Sequence, residues 1–143
     1  MKTLIVLAVS TVWVSILFCP MVVAAPSIPS EVQIVQPDPS LPKELSAFWG
    51  KWEGTNSMTT ANYFLIVEKI DEEKASLYLW TQSPLAAYGY TGWQQCEAKV
   101  MKESGKYTIS FFASRLGITE LTLKGKYLDW SGSGMNVRFR RVL

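Results

Sequence analysis

The 143-residue chain contains no histidine. That absence removes the Ser-His-Asp and Cys-His catalytic arrangements, the usual zinc sites and the commonest general base near neutral pH. Cysteine is almost missing as well, with only Cys19 and Cys96. Strong charge of either sign is lacking. Lys and Arg number 14 against 12 Asp and Glu, for a net charge of +2, which gives no electrostatic footprint for nucleic acid. No stretch of helical periodicity after residue 48 is long enough to cover a sheet, and no internal repeat is present. Proline is confined: most of the 7 prolines lie between residues 25 and 44.

What is present begins with an apolar run, Thr3 to Phe18, behind the weakly positive Met1-Lys2. Pro20 breaks the run, and Val22-Val23-Ala24 offers the small residues that a signal peptidase reads. Residues 1–24 are therefore expected to be a signal peptide cut after Ala24, because a cut after Ala25 would put Pro26 beside the scissile bond. The alternative is an uncleaved membrane anchor, since this stretch nearly spans a bilayer. The expected localisation is secreted or periplasmic. Removal leaves Cys96 as the one thiol, so no internal disulfide can form and the fold must rest on core burial. Trp49, Trp52, Trp80, Trp93 and Trp130 supply apolar area for it.

Residues 25–44, APSIPSEVQIVQPDPSLPKE, are expected to form an extended, mobile, Pro-rich tail. Its one strand-like patch is Val32-Gln33-Ile34-Val35, and Leu45 to Phe48 should make a helical turn. Eight strand-like segments follow: 48–54, 62–70, 75–80, 93–101, 106–112, 118–123, 126–130 and 135–142. None contains proline. Short strands separated by frequent turn signals predict an all-β fold, and a meander of this length closes on itself to remove its edges. The expected fold is a small antiparallel up-and-down β-barrel of about eight strands over residues 45–143.

Gly50-Lys51-Trp52 on the first strand, with Arg138, Arg140 and Arg141 on the last, resembles the lipocalin-like, or calycin, superfamily. The likeness covers residues 45–143. In size this body is closer to avidin-like or bacterial metalloprotease-inhibitor barrels. The resemblance implies a barrel whose closed end is plugged by the Trp52 ring with an arginine across it, Arg138 or Arg140 being the expected partner. A solvated strand edge is the alternative role for the arginines. The resemblance also implies a binding module that holds a small apolar or amphipathic molecule and is not an enzyme. The likeness to inhibitor barrels, whose N-terminal tail enters a protease cleft, implies a second possibility: a protein partner held through residues 25–44.

The stretch from Thr81 to Gly92 carries Pro84, Leu85, Tyr88 and Tyr90, with Trp93 just behind. Loops at a barrel mouth carry function more often than the wall does. The expected ligand-binding residues are Tyr88, Tyr90, Trp93, Trp80 and Tyr63; Leu65, Leu77, Leu79 and Phe111 are expected to face inward beside Tyr63. The plain alternative is a loop that tucks its own aromatics onto the barrel. Cys96 reads as a small buried hydrophobe, or else as an exposed thiol bridging two chains. Asp71-Glu72-Glu73 lacks the spaced oxygen ligands and glycine of a calcium loop. Glu53, Glu68, Glu97, Glu120 and Asp129 are scattered and form no pair for glycosidase chemistry. Nothing near Lys51 would depress its pKa for nucleophilic work. No catalytic residue, metal, cofactor or nucleic acid is expected, and membrane contact only through an uncleaved signal segment.

Overall fold

Each segment after residue 48 alternates apolar and polar residues, which in an extended chain sends them to opposite faces. The computed structural model describes residues 25–82, 91–114, 116–132 and 135–142. It shows one short helix, α1 (Lys43–Ser46), followed by eight strands: β1 (Gly50–Thr55), β2 (Asn62–Ile70), β3 (Lys74–Gln82), β4 (Thr91–Glu103), β5 (Lys106–Ala113), β6 (Gly117–Lys124), β7 (Tyr127–Gly132) and β8 (Met135–Val142). All neighbours pair antiparallel in sequence order, and β1 pairs with β8 to close the barrel. The helical turn begins at Lys43 rather than Leu45. Pro42 directly precedes it, and proline's fixed φ suits the entry to a helix.

The register assigns the two faces. Trp52 lies opposite Leu65, Leu65 opposite Leu79, and Leu77 opposite Cys96. Further round, Ala98 meets Phe111, Ile109 meets Leu121, Leu121 meets Trp130, and Leu128 meets Phe139. All of these are buried. The inward set includes Tyr63, Leu65, Leu77, Leu79 and Phe111, as the sequence pattern predicts. The two ends differ. Turns at residues 71–73, 104–105 and 125–126 join strands at one end, which α1 closes, with Leu45 and Phe48 fully buried beneath it. The other end, called here the mouth, carries the β1–β2, β3–β4, β5–β6 and β7–β8 connections.

The Pro-rich tail is extended, as its composition requires, but it is docked rather than free. The Val35 N–H donates to the Glu68 carbonyl at 3.0 Å, and the Gln33 N–H donates to Glu68 Oε1 at 2.7 Å. Glu68 can accept both because the β2–β3 register skips it between Val67 and Lys69; a bulge residue leaves its own backbone groups outside the ladder. Farther up the tail, the Trp93 indole N–H donates to the Ser27 carbonyl at 2.9 Å. The tail thus crosses the outside of the barrel diagonally, from β2 to β4. It covers two outward apolar residues, Ile66 and Tyr78, which are cross-strand partners and are both buried. Burial raises the Tyr78 pKa, and the negative charges of Glu68 and of the tail's Glu31 add to the rise.

Candidate functional site

The closed end is built by Gly50, Trp52 and Arg141. Helix α1 and the turn after it leave backbone carbonyls without helical partners. The Trp52 indole N–H donates to the Phe48 carbonyl at 2.8 Å. The Arg141 guanidinium donates to the carbonyls on either side, Ala47 through Nη2 and Trp49 through Nη1. Three successive carbonyls are thereby satisfied. The guanidinium carbon also lies 4.3 Å from the centre of the Trp52 ring, within cation–π range. Partial desolvation lowers the Arg141 pKa, but a guanidinium stays charged throughout the working range. Gly50 completes the arrangement. Its φ is +110°, and a Cβ there would stand 2.9 Å from Arg141 Nη1.

Trp52 therefore plugs the barrel, but its arginine is Arg141 and not Arg138 or Arg140. Arg138 forms a two-point ion pair with Asp129, through Nε to Oδ1 at 2.8 Å and Nη2 to Oδ2 at 3.0 Å. Arg140 donates through Nε to Glu53 Oε1 at 2.7 Å. Both stand on the outer wall beside an open groove of about 310 Å³ that Glu53, Thr55, Asn62 and Phe64 also line. The reason is strand parity. Val137, Phe139 and Arg141 share the inward side of β8, while Arg138 and Arg140 take the outward side.

The expected ligand-binding residues are not brought together. Tyr88 and Tyr90 lie outside the described residues. Trp80 and Trp93 pair directly across β3 and β4, but on the outer wall, in one row with Phe64 and Glu53. Trp80 meets Phe64 edge-to-face at 5.3 Å, and Trp93 is held by the tail. Tyr63 alone faces the interior. Its ring packs edge-on to Trp130 at 5.2 Å, and burial raises its pKa.

Tyr63 belongs to an aromatic floor one rung beneath the mouth. Trp130 is its centre, with Phe111 at 6.3 Å and Phe139 stacked at 6.1 Å. At this end of the barrel Ala113 pairs with Gly117, Thr81 with Gly92 and Gly132 with Met135, and Gly132 packs against the Ile118 backbone, where a Cβ would stand 2.7 Å from the carbonyl oxygen. A Cβ on Gly92 would meet nothing within 4 Å. Trp130 is 1% exposed, yet its indole N–H has no hydrogen-bond partner among the described residues. A buried donor left unpaired costs about 1–3 kcal/mol. Among the described residues the other buried indole N–H without a partner is that of Trp49, beside the closed end. Cys96 also faces inward, and burial pushes its thiol up to about 11, so it is a protonated, inert group at neutral pH.

The carboxylates do not converge on this interior. Glu53, Glu97, Glu120 and Asp129 all occupy outward register positions, and Glu68 fastens the tail. Among the described residues no cluster of three or more acidic, cysteine or histidine side chains could hold a metal ion.

Set beside known proteins, the chain matches no family model, no curated protein and no solved structure. The class is therefore defined by the fold itself: a closed, eight-stranded antiparallel β-barrel consistent with a lipocalin-like fold.

Proposed function

We propose that this is an exported, non-catalytic binding protein of the lipocalin-like type, holding a small amphipathic molecule on the aromatic floor beneath the barrel mouth. The observation that carries the reading is the Trp130 indole N–H, buried between Tyr63 and Phe111 and without a hydrogen-bond partner among the described residues. Buried polar groups are paired almost everywhere in folded proteins, and an exception calls for a partner. A ligand with an apolar body and one hydrogen-bond acceptor fits the floor. Its body would stack on the rings, and its acceptor would take the indole hydrogen. Gly92, where a Cβ would meet nothing within 4 Å, favours entry from this end. Affinity would come chiefly from apolar burial, at roughly 25 cal/mol per Å² before the costs of association.

Native mass spectrometry of protein exported by its own host, before and after organic extraction, tests this. A discrete mass that extraction removes, and that a Trp130→Phe variant retains less well, supports the reading. A clean unliganded mass for the wild type refutes it.

A protein partner held through residues 25–44 is the second reading. What favours it is the outward display of Ile28 and Val35 on the docked tail, both exposed. A partner would read that apolar edge in place, or peel the tail from Glu68 and Trp93.

A further inference from the structure

The polarity left over inside the barrel is one-sided. Among the described residues, the buried side-chain polar atoms without a hydrogen-bond partner are both donors, the indole nitrogens of Trp49 and Trp130. Other buried polar groups are engaged. Asn56 Oδ1 accepts from the Met58 and Thr59 N–H groups at 2.8 and 3.2 Å. The Thr119 hydroxyl donates to the Gly117 carbonyl at 3.5 Å, and the Cys96 thiol donates to the Gln94 carbonyl at 4.0 Å. Trp49 stands beside the closed end, so the unmatched group at the floor is one indole hydrogen, set among the rings of Tyr63, Phe111 and Phe139. A water is a poor answer to it. A buried water makes about three hydrogen bonds, and its own two hydrogens would need acceptors among those rings.

Charge is kept off the floor as well. Glu53, Glu97, Glu120 and Asp129 hold outward register positions, as do Arg138 and Arg140. Arg141 and Lys102 are in phase with the interior, but both stand at the closed end. There Arg141 donates to the Ala47 and Trp49 carbonyls, and the Lys102 ammonium lies over the Tyr107 ring. The mouth connections, 56–61, 83–90, 114–116 and 133–134, contain no acidic residue and one basic residue, Arg115, which lies outside the described residues. A carboxylate or ammonium brought to the floor would lose its water and meet no counter-charge there, which is strongly unfavourable. A hydroxyl would bring a hydrogen of its own to a site whose unmatched group is already a donor.

We propose that the floor selects an uncharged ligand whose polar end is an acceptor only, a carbonyl or ether oxygen on an apolar body, over carboxylic acids, amines and alcohols. This rests on the ligand reading above and narrows it to one chemical class. The Trp130 indole N–H orients that oxygen, and the surrounding rings hold the body.

The test reads the charge and the exchangeable hydrogens of whatever the protein carries. Protein exported by its own host is denatured and extracted briefly into organic solvent at about pH 2 and, in parallel, at about pH 12, outside the ordinary ranges of carboxyl and amine groups. The extracts are weighed by mass spectrometry from ordinary and from heavy water. The expected ligand is recovered to within about twofold at the two pH values, because it has no group that ionises between them, and its mass is the same in heavy water. Recovery at least about tenfold greater from acid identifies a carboxylic acid, and the same excess from base identifies an amine. Either result overturns the proposal while the ligand reading stands. A mass gain in heavy water does the same, because it shows a donor on the ligand. No ligand at either pH, with a clean unliganded native mass, refutes the ligand reading and this proposal with it.

Discussion

Replacing Arg141 by Met should destabilise the barrel far more than replacing Arg138 or Arg140. The substitution keeps most of the aliphatic stem but removes three interactions together. Two are charge-assisted hydrogen bonds to the Ala47 and Trp49 carbonyls, and the third is the contact with the Trp52 ring. A hydrogen bond to a charged group contributes about 1.5–3 kcal/mol when sheltered, and Arg141 remains partly open to solvent, so about 1 kcal/mol each is the appropriate figure. The cation–π contact adds roughly 0.5–1 kcal/mol. The loss is then about 2–3 kcal/mol. In a domain of this size that corresponds to a fall in Tm of about 8–15 °C. Thermal unfolding followed by circular dichroism, with and without organic extraction of the sample, reads it directly. Arg141→Lys should fall between wild type and Met, because an ammonium cannot bridge two carbonyls and stack at once. Arg138→Met should cost much less, since its ion pair with Asp129 lies on the solvated wall. If Arg141→Met and Arg138→Met lower Tm by the same amount, the closed-end clamp is not what holds α1 on the barrel.

Two further outcomes follow from the same geometry. Glu68→Ala removes the carboxylate that accepts from the Gln33 N–H and the Ser76 hydroxyl. A loss of about 1 kcal/mol in tail docking should speed amide hydrogen exchange roughly fivefold over residues 27–35 while leaving the β-strand amides unchanged; uniform acceleration would mean that the tail and barrel unfold as one unit. Stability should also be flat from about pH 5 to 8.5, because no histidine is present to titrate there. Below that window it should fall. Asp129, held low by Arg138, and Asp71, held low by the Glu73 and Lys74 backbone N–H groups, stabilise the fold while ionised and lose that contribution as pH drops through their depressed values. Above about pH 9 it should fall again. The Cys96 thiol, pushed up to about 11, and the raised Tyr63 phenol stay protonated in the fold while the unfolded chain gives up its protons. A stability step between pH 6 and 7 would contradict this account.

The eight strands were legible because the sheet period is two and most connections are marked by charge or glycine, the polar 56–61 connection being the exception. Segments 62–70 and 135–142 coincide with β2 and β8 at both ends. The same period contained the answer at the closed end. Val137 and Phe139 are apolar, so the inward side of β8 consists of odd positions, and Arg141 is the arginine in phase with them. An expected partner at 138 or 140 follows the family pattern to the right strand but the wrong parity. Parity likewise puts Trp80 with Ser76 and Tyr78, opposite to Leu77 and Leu79, and hence on the outer wall. An aromatic residue next to a mouth loop is not thereby inside the mouth.

What parity could not supply is contact across the barrel. Trp130 is in phase with Leu128, so its inward direction is readable, but its meeting with Tyr63 of β2 and Phe111 of β5 brings together strands far apart in sequence. The tail presents the same difficulty in reverse. Its proline content dictates an extended chain without dictating where that chain lies. The deciding residue is Glu68, on a strand whose alternation is broken there. Ile66, Val67 and Ile70 are all buried, although strict alternation cannot put all three on one face. That irregularity is the sequence trace of a bulge and of a second layer outside the wall. Ile66 and Tyr78 need cover, and the tail fastened at Glu68 brings the half-buried Val32 and Ile34 of its extended apolar segment, while Val35 stays exposed. The outer layer also limits where a ligand can act. With the tail strapped across β2, β3 and β4 on the outside and the closed end clamped by Arg141, the end of the barrel that remains for a ligand is the mouth. The Trp130 indole hydrogen, unpaired among the described residues, lies on the β7 strand that leads to it.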